Sequence, residues 1–562
     1  MRRAHVIVLA LSAWTVAVAA YVAPPLPGAP AALRVRQRAC SFAPRRSVTR
    51  RDLAPSHPTM SAGGGRDSDA ILFMPGGSPK NLQARGASSR FEQFYSATGS
   101  ESASAEGPEA AAAADPQDPR SELQQLQAST ESSLDWSVVR TALANCSVTS
   151  MGRRALETMP PFTEVADVER SFAALEEVRA LAEQGVSLPV GQVLDIIRLA
   201  GSAGKGEVLD LDELKDSSRT LQAMQDIAHL LDGRNDTHTL TDIAQDIDLD
   251  AEVVRLFARS FDAAGQLSVR QYPQLEQLRR EIIQIEASVT KTMESLVKDS
   301  KYAASLQENF YTIRENRFVL PVAITNKNKV QGIVHGVSGT GSTVYIEPQQ
   351  VIDLNNRLRL AQGELKAEEQ RIRTMLSQRL GSQAREVRLA TAAVVEIDNA
   401  LARERLAATM GAVRPQVASG NEVVLAKARH PVLVLRGIKP VANNVKLTAG
   451  MPALVISGPN AGGKTVVLKT VGLCALLVQY GCWVPCEEGS RVDLFLKVLA
   501  SIGDQQTVEE DLSSFSSHMK TLKTMVEHTE ERSLILLDEI CSGTDPAQVC
   551  DAPVCVMLLM YV

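Results

Sequence analysis

Ser457-Gly458-Pro459-Asn460-Ala461-Gly462-Gly463-Lys464-Thr465 carries the spacing G-x-x-x-x-G-K-[ST], and the apolar run Ala453-Leu454-Val455-Ile456 feeds it. A strand, a glycine loop and a helix in that order let consecutive backbone N–H groups turn inward around phosphate oxygens, while the helix aims its positive end at them. Gly458, Pro459, Asn460, Ala461, Gly462 and Gly463 are the candidate cradle. Lys464 is suited to neutralising the β and γ phosphates, and the Thr465 hydroxyl to ligating Mg²⁺. The second half of the chemistry is Leu534-Ile535-Leu536-Leu537-Asp538-Glu539, a buried-strand run that ends in two carboxylates. Asp538 would hold Mg²⁺ through water and Glu539 would polarise an attacking water. Lys464, Asp538 and Glu539 are thus the catalytic candidates, Thr465 and Asp538 the metal ligands, and ATP with Mg²⁺ the implied cofactors.

Between these segments lies Asp511-Leu512-Ser513-Ser514-Phe515-Ser516-Ser517-His518-Met519. Hydroxyls and N–H groups at a helix start can cap a phosphate, which makes Ser513 and Ser514 candidates for a γ-phosphate contact. On composition alone, an ordinary serine-capped helix is the simpler reading. Cys482 and Cys486, and Cys550 and Cys555, have metal-like spacing without an accompanying histidine cluster, so they read as free thiols in or near a core. His430 reads as a structural hydrogen-bonder.

The elements that position these groups follow from periodicity and composition. The chain of 562 residues is 44% apolar, enough for several domains with packed cores, and its eight cysteines exclude a disulfide scaffold. From about 121 to 260 the apolar spacing is that of short helices. After Pro273 a heptad seam runs through Leu275, Leu278, Ile282, Ile285, Val289, Thr292 and Leu296. A second long helix begins near Val351 and carries Leu354, Leu358, Ala361, Leu365 and Ile372, continuing with interruptions to about Met410. Matching seams predict an antiparallel arm, with helices over 273–308 and 351–410. Between them the period changes: Phe310-Tyr311-Thr312-Ile313, Phe318-Val319-Leu320-Pro321-Val322 and Val344-Tyr345-Ile346 predict a strand-rich tip over 309–348. Gly336, Gly339 and Gly341 read as a turn, since no Lys-Ser/Thr pair follows them. Arg314, Arg317, Lys327 and Lys329 make the tip locally basic.

The net charge of −6 conceals an asymmetry. Residues 1–51 hold nine Arg and no Lys, Asp or Glu, which leaves 50 basic against 65 acidic residues, a balance of −15, in the remainder. A bulk basic surface for nucleic acid is excluded, and any such contact must come from a local patch. Arg2-Arg3, the apolar run to Ala20 and Ala17-Val18-Ala19 form a signal, and the Arg-rich, acid-free stretch to Arg51 behind it is like a transit peptide. Together they predict a bipartite leader over 1–51 directed to a plastid (chloroplast) bounded by extra membranes, with secretion as the alternative and no membrane association after its removal. Residues 52–120, with their Gly-, Ser- and Ala-rich runs, predict a disordered linker.

The motifs as a set carry a resemblance. Gly458-Pro459-Asn460 with Gly462-Gly463-Lys464-Thr465, Ser513-Ser514-Phe515 with Met519, Asp538-Glu539 and Gly543-Thr544 resemble the ATPase of the MutS family. Arg429-His430-Pro431 and Asn443-Asn444 extend the likeness upstream. Tyr311-Thr312-Ile313-Arg314-Glu315-Asn316-Arg317 and Gly341-Ser342-Thr343-Val344-Tyr345-Ile346-Glu347-Pro348 are similar to its type 2 branch, and the whole resemblance runs from about Leu134 to Pro546. It implies an α/β P-loop ATPase domain (ABC-like, MutS type) over 415–562, preceded by a mainly α-helical core over 121–414 that contains the arm and its small β insertion. It also implies a homodimer through the ATPase domains, with Ser513 to Met519 reaching the partner subunit's nucleotide. The implied function is an ATP-driven dimeric clamp on branched or mismatched DNA, in repair or suppression of recombination. The alternatives are an ATPase that splits stalled or collided ribosomes, or a catalytically impaired nucleotide-binding interaction module. After Asp545-Pro546 the family pattern gives way to Gln548-Val549-Cys550-Asp551-Ala552-Pro553 and ends at Val562. The expectation is therefore a C-terminally shortened ATPase domain that lacks the next strand with its switch histidine and the Smr nuclease domain, without endonuclease activity.

Overall fold

The computed structural model describes residues 119–458, 462–502, 511–538 and 557–561, with side chains described for all but 119–121, 511–519 and 557–561. The predicted leader, nearly all of the predicted linker and the segment 539–556 lie outside the described residues.

Eight α-helices open the described residues: α1 (Pro119–Ser133), α2 (Trp136–Cys146), α3 (Ser150–Thr158), α4 (Val165–Glu183), α5 (Ile197–Gly204), α6 (Leu211–Leu231), α7 (His238–Ala244) and α8 (Ala251–Ser260). Their starts follow local chemistry. Thr149 caps α3 through Gly152 N, and Asp210 with Glu213 closes a reciprocal capping box on α6.

The arm consists of α9 (Pro273–Lys298), the single turn α10 (Ser300–Ala303), α11 (Ile352–Gly381) and α12 (Ala384–Met410). Leu275 shares a core with Ile372 and Leu376, whereas Ile285, Val289, Met293 and Leu296 share one with Val351, Leu358 and Ala361. The near end of α9 thus meets the far end of α11, and the two run antiparallel. The seam departs from expectation at one position. Met293 is fully buried, while Thr292 turns aside and its hydroxyl donates to Ser288 O at 2.9 Å. A straight helix advances 3.6 residues per turn, so a strict 3.5-residue repeat drifts off the buried face within a few turns.

The tip is an antiparallel sheet of β1 (Thr312–Arg314), β2 (Arg317–Ala323), β3 (Gly332–Val337) and β4 (Thr343–Pro348), in the order β1-β2-β4-β3. Gly339 and Gly341 lie in the turn between β3 and β4, and Gly336 ends a register shift within β3.

Two further sheets follow. One is β6-β5-β8, from β5 (Val423–Ala428), β6 (Asn443–Leu447) and β8 (Arg491–Val492), with the short helix α13 (Pro431–Leu435) after β5. The other has the order β7-β11-β10-β9, from β7 (Ala453–Ile456), β9 (Lys497–Ser501), β10 (Ser533–Leu537) and β11 (Met557–Tyr561). Helices α14 (Lys464–Gln479) and α15 (Asp511–His528) complete this region. β9 and β10 are parallel, while β11 lies antiparallel to both β10 and β7. Met557–Tyr561 occupies the sheet antiparallel to its neighbours and without a histidine, so it is not the histidine-bearing strand that the family pattern places after Asp538-Glu539. Unpaired backbone groups between two strands favour any apolar segment that can fill the gap, in either direction.

One core unites the opening helices with this region. Leu134, Trp136, Val139, Phe172 and Leu175 pack in a single cluster with Leu468, Val471, Leu477, Phe495, Leu534 and Leu536. No helix among the described residues is long and apolar enough to cross a membrane.

Candidate nucleotide site

The site forms where β7 runs into α14 and β10 ends beside it. Gly463, at the N-cap of α14, has φ 78° and ψ 17°, a left-handed conformation that favours glycine. It offers no side chain to satisfy the first N–H groups of the helix, which leaves them for an anion. Gly458 has φ 155°, and a Cβ built on Gly458 or Gly463 would meet no heavy atom within 4 Å, so open space lies beside both glycines.

Lys464 is 6% exposed and its Nζ donates to Gly458 O at 2.7 Å, folding the ammonium back over the loop. Thr465 Oγ1 donates to Asp538 Oδ2 at 2.7 Å. Asp538 is 8% exposed, and its backbone N–H donates to Ser501 O at 2.9 Å, extending the parallel β9–β10 ladder by one residue. A hydroxyl and a carboxylate held together are hard oxygen donors of the kind Mg²⁺ takes, and an open loop with a buried ammonium suits phosphate, so the residues present fit Mg²⁺ and a nucleotide. Lys464, Thr465 and Asp538, predicted from segments far apart in sequence, are thus brought together with Gly458, Gly462 and Gly463. Pro459, Asn460, Ala461 and Glu539 lie outside the described residues. Helix α15 starts at Asp511, so Ser513 and Ser514 fall in its first turn, and their side chains are outside the described residues.

The comparisons bear on this geometry. Residues 454–557 match the family described as MutS domain V. Over 423 residues the chain is 35% identical to endonuclease MutS2 of Lactiplantibacillus plantarum, which covers 74% of this chain and 53% of that protein. It is 35% identical over 416 residues to endonuclease MutS2 of Pelotomaculum thermopropionicum (74% and 53%), and 32% identical over 427 residues to that of Bacillus velezensis (75% and 54%). The chain is similar to MutS2 proteins over about three quarters of its own length. It spans about half the length of the curated relatives it matches.

Other groups of this MutS2-like chain fall into place around the site. His430 caps α13, its Nδ1 accepting from Leu433 N at 3.4 Å, and burial first, then the nearby Lys469 ammonium, pushes its pKa below the ordinary histidine value. Cys482 and Cys486 are free, buried thiols, as expected; burial pushes Cys482 up to about 11 despite the neighbouring Arg403. No group of three or more His, Cys, Asp or Glu that could hold a metal occurs among the described residues.

The tip is tied to the arm by a buried carboxylate. Glu347 is fully buried and accepts from Arg317 Nη1 at 2.8 Å and Asn355 Nδ2 at 2.8 Å, and its Oε2 lies 2.6 Å from His335 Nε2. Asn355 belongs to α11 and also takes Phe318 N at 3.2 Å. Two of the segments that carry the type 2 likeness, 311–317 and 341–348, therefore meet at one ion pair. Arg314 lies over the Tyr345 ring at 4.6 Å, and Arg314, Lys327 and Lys329 are exposed. The sequence reading singled out Arg314 and Arg317 alike as tip cations; the structure commits Arg317 to the fold and leaves Arg314 on the surface.

Proposed function

We propose that this chain is an ATP-binding, Mg²⁺-dependent ATPase with a P-loop, ABC-like nucleotide domain, acting as a homodimeric clamp on branched or mismatched DNA. The observation that carries the reading is the 2.7 Å bond from Thr465 Oγ1 to Asp538 Oδ2, with Lys464 folded over the glycine loop beside it. Lys464 supplies the positive charge for the phosphates, while Thr465 and Asp538 are the Mg²⁺ ligands. Bound ATP supplies the phosphoanhydride whose hydrolysis drives a clamp cycle. Glu539, next to Asp538 in sequence, is assigned the water-polarising role. Likeness to the MutS2 proteins supports a DNA-associated role, and the exposed Arg314, Lys327 and Lys329 at the arm's tip supply the local basic patch that an acidic chain needs. The Arg-rich, acid-free residues 1–51 support plastid delivery.

The test is steady-state ATP hydrolysis by the full chain, by Lys464→Ala and by Glu539→Gln, together with salt-dependent binding to a four-way DNA junction and to ribosomes. Turnover lost in both variants and binding to the junction alone are the expected results. Turnover no higher than that of Lys464→Ala would remove the ATPase assignment. Binding to ribosomes and not to the junction would replace the DNA substrate.

A further inference from the structure

The Thr465–Asp538 bond joins two elements, the start of α14 and the end of β10, so its length depends on what holds those elements together from behind. One segment, the last turn of α1 and its link to α2, touches α14 and the strand β9 that pairs with β10. Thr130 Oγ1 accepts from Ala500 N at 3.0 Å, and these residues are 370 positions apart. Ala500 stands opposite Leu536 in the β9–β10 ladder, and β9 is the outer strand of its sheet. The threonine hydroxyl thus pairs the edge N–H that a further strand would otherwise take.

Leu134, fully buried, lies beside the point where Gly472 of α14 faces Leu536 of β10. A Cβ on Gly472 of α14 would come 2.6 Å from Leu536 Cδ1 and 2.8 Å from Leu134 Cδ2. Asp135 then accepts from Lys469 Nζ at 2.7 Å, across 334 positions, and Lys469 lies on α14 four residues after Thr465. Asp135 makes this contact with φ 57°, a left-handed conformation disfavoured for a residue with a Cβ and retained only where the surroundings hold it.

We propose that the segment Thr130–Asp135, the end of α1 and its link to α2, is a positioning device for the ATP site, setting α14 against the β9–β10 pair so that Thr465 and Asp538 present one Mg²⁺ site. Thr130 and Asp135 touch no nucleotide; they act through Ala500 and Lys469. Thr130 fixes the strand that aligns Asp538, Leu134 fills the junction, and Asp135 fixes the helix that carries Thr465. This rests on the ATP-site reading above and adds to it residues more than three hundred positions upstream.

The test uses the full chain and the variants Thr130→Val, Asp135→Asn, the exchange Asp135→Lys with Lys469→Asp, and Lys464→Ala as the site control. A fluorescent ATP analogue is titrated at fixed nucleotide against Mg²⁺, and kcat and KM are measured wherever turnover occurs. Thr130→Val and Asp135→Asn are each expected to lower kcat about threefold to tenfold and to raise the half-saturating Mg²⁺ concentration similarly, with KM changed less than twofold. The charge exchange is expected to bring the Mg²⁺ midpoint back to within about twofold of the original chain. A merely structural contact would lower the folded fraction without moving the Mg²⁺ midpoint of the molecules that remain folded. If the original chain binds nucleotide no better than Lys464→Ala, the ATP-site reading fails and the positioning role falls with it. If it binds normally while Asp135→Asn and Thr130→Val titrate Mg²⁺ like the original chain, the positioning role alone is overturned.

Discussion

Two glycines of α11 receive opposite predictions for the same substitution. Gly363 is exposed, and a Cβ there meets no heavy atom within 4 Å. Gly381 closes the helix against α5, where a Cβ would lie 2.5 Å from Ala203 C, 2.5 Å from Gly204 N and 2.7 Å from Ala203 O. Alanine in an open helix interior gains about 0.5–1 kcal/mol over glycine, through helix propensity and a less free unfolded chain. Gly363→Ala should therefore stabilise by about that amount. At position 381 the obstacle is backbone, which has no rotamer to turn away. Contact distances near 3.5 Å require the two helices to part by about 1 Å. Ala200, Ala203, Ile372 and Leu380 share the core around this crossing, so parting them opens a packed interior. Overpacking of this kind costs about 1–3 kcal/mol, and at the helix end little propensity is gained in return. Gly381→Ala should lose about 1–3 kcal/mol, the upper half being expected for a backbone clash. Urea titration of the full chain and both variants, followed by helical circular dichroism, reads the two shifts. A Gly381→Ala midpoint at or above that of the original chain would refute the close crossing, and a fall in Gly363→Ala would refute the open face.

Two more outcomes follow from buried charge. Glu347→Ala leaves Arg317 without its buried partner and should cost about 3–5 kcal/mol, confined to the tip. Hydrogen exchange should quicken in β2 and β4 and stay unchanged in α12, so a uniform loss of protection would count against a local tip–arm lock. His430 has a folded pKa below the 6.5 of a free histidine, so the unfolded chain takes up its proton first as pH falls. The contribution of this cap is complete above about pH 6.5 and declines as pH drops toward the folded value, because protonated Nδ1 no longer accepts from Leu433 N. His430→Asn keeps a capping acceptor without a titrating ring, and the difference in urea midpoint between pH 7.5 and pH 5.5 should shrink in it; an unchanged difference would exclude His430 as its source.

What could be read from the sequence was what sits within one segment or repeats with a simple period. The glycine loop, Lys464 and Thr465 lie in one run, and Asp538 ends a run of apolar residues that only a buried strand accommodates. The arm announced itself through its seam, apart from the shift from Thr292 to Met293. β3 escaped notice because Gly332-Ile333-Val334-His335-Gly336-Val337 offers two glycines and a histidine where a strand usually offers alternation. β11 escaped because nothing in Met557–Tyr561 states which neighbours it will join or in which direction. Thr130, Asp135 and Lys469 escaped for a stronger reason: a threonine, an aspartate and a lysine are unremarkable residues at unremarkable spacings, and only the fold gives them a common address.

The same fold makes the far end of α14 as constrained as its start. Tyr480, directly after α14, has its carbonyl held by Arg403 Nε of α12 at 2.9 Å, its hydroxyl by Arg140 of α2, and its ring against Trp136 at a centroid distance of 4.9 Å. Arg403 is almost completely buried, and Arg405 of the same helix donates to Cys146 O at 2.9 Å. These contacts join the nucleotide helix, α2 and α12; the Arg403–Tyr480 bond is buried, so breaking it would strand a buried polar group, while the Arg140 bond is part-buried and the Arg405 bond exposed. At the other end of the arm, Asn355 and Glu347 tie α11 to the tip with equal firmness. Between the two bound ends the arm changes helices at Ser382 and Gln383, where backbone hydrogen bonds pass from α11 to α12. That junction is itself a packed crossing, since Gly381 meets the backbone of Ala203 and Gly204 there, so the tip and the nucleotide helix are joined through close packing and not through an open turn.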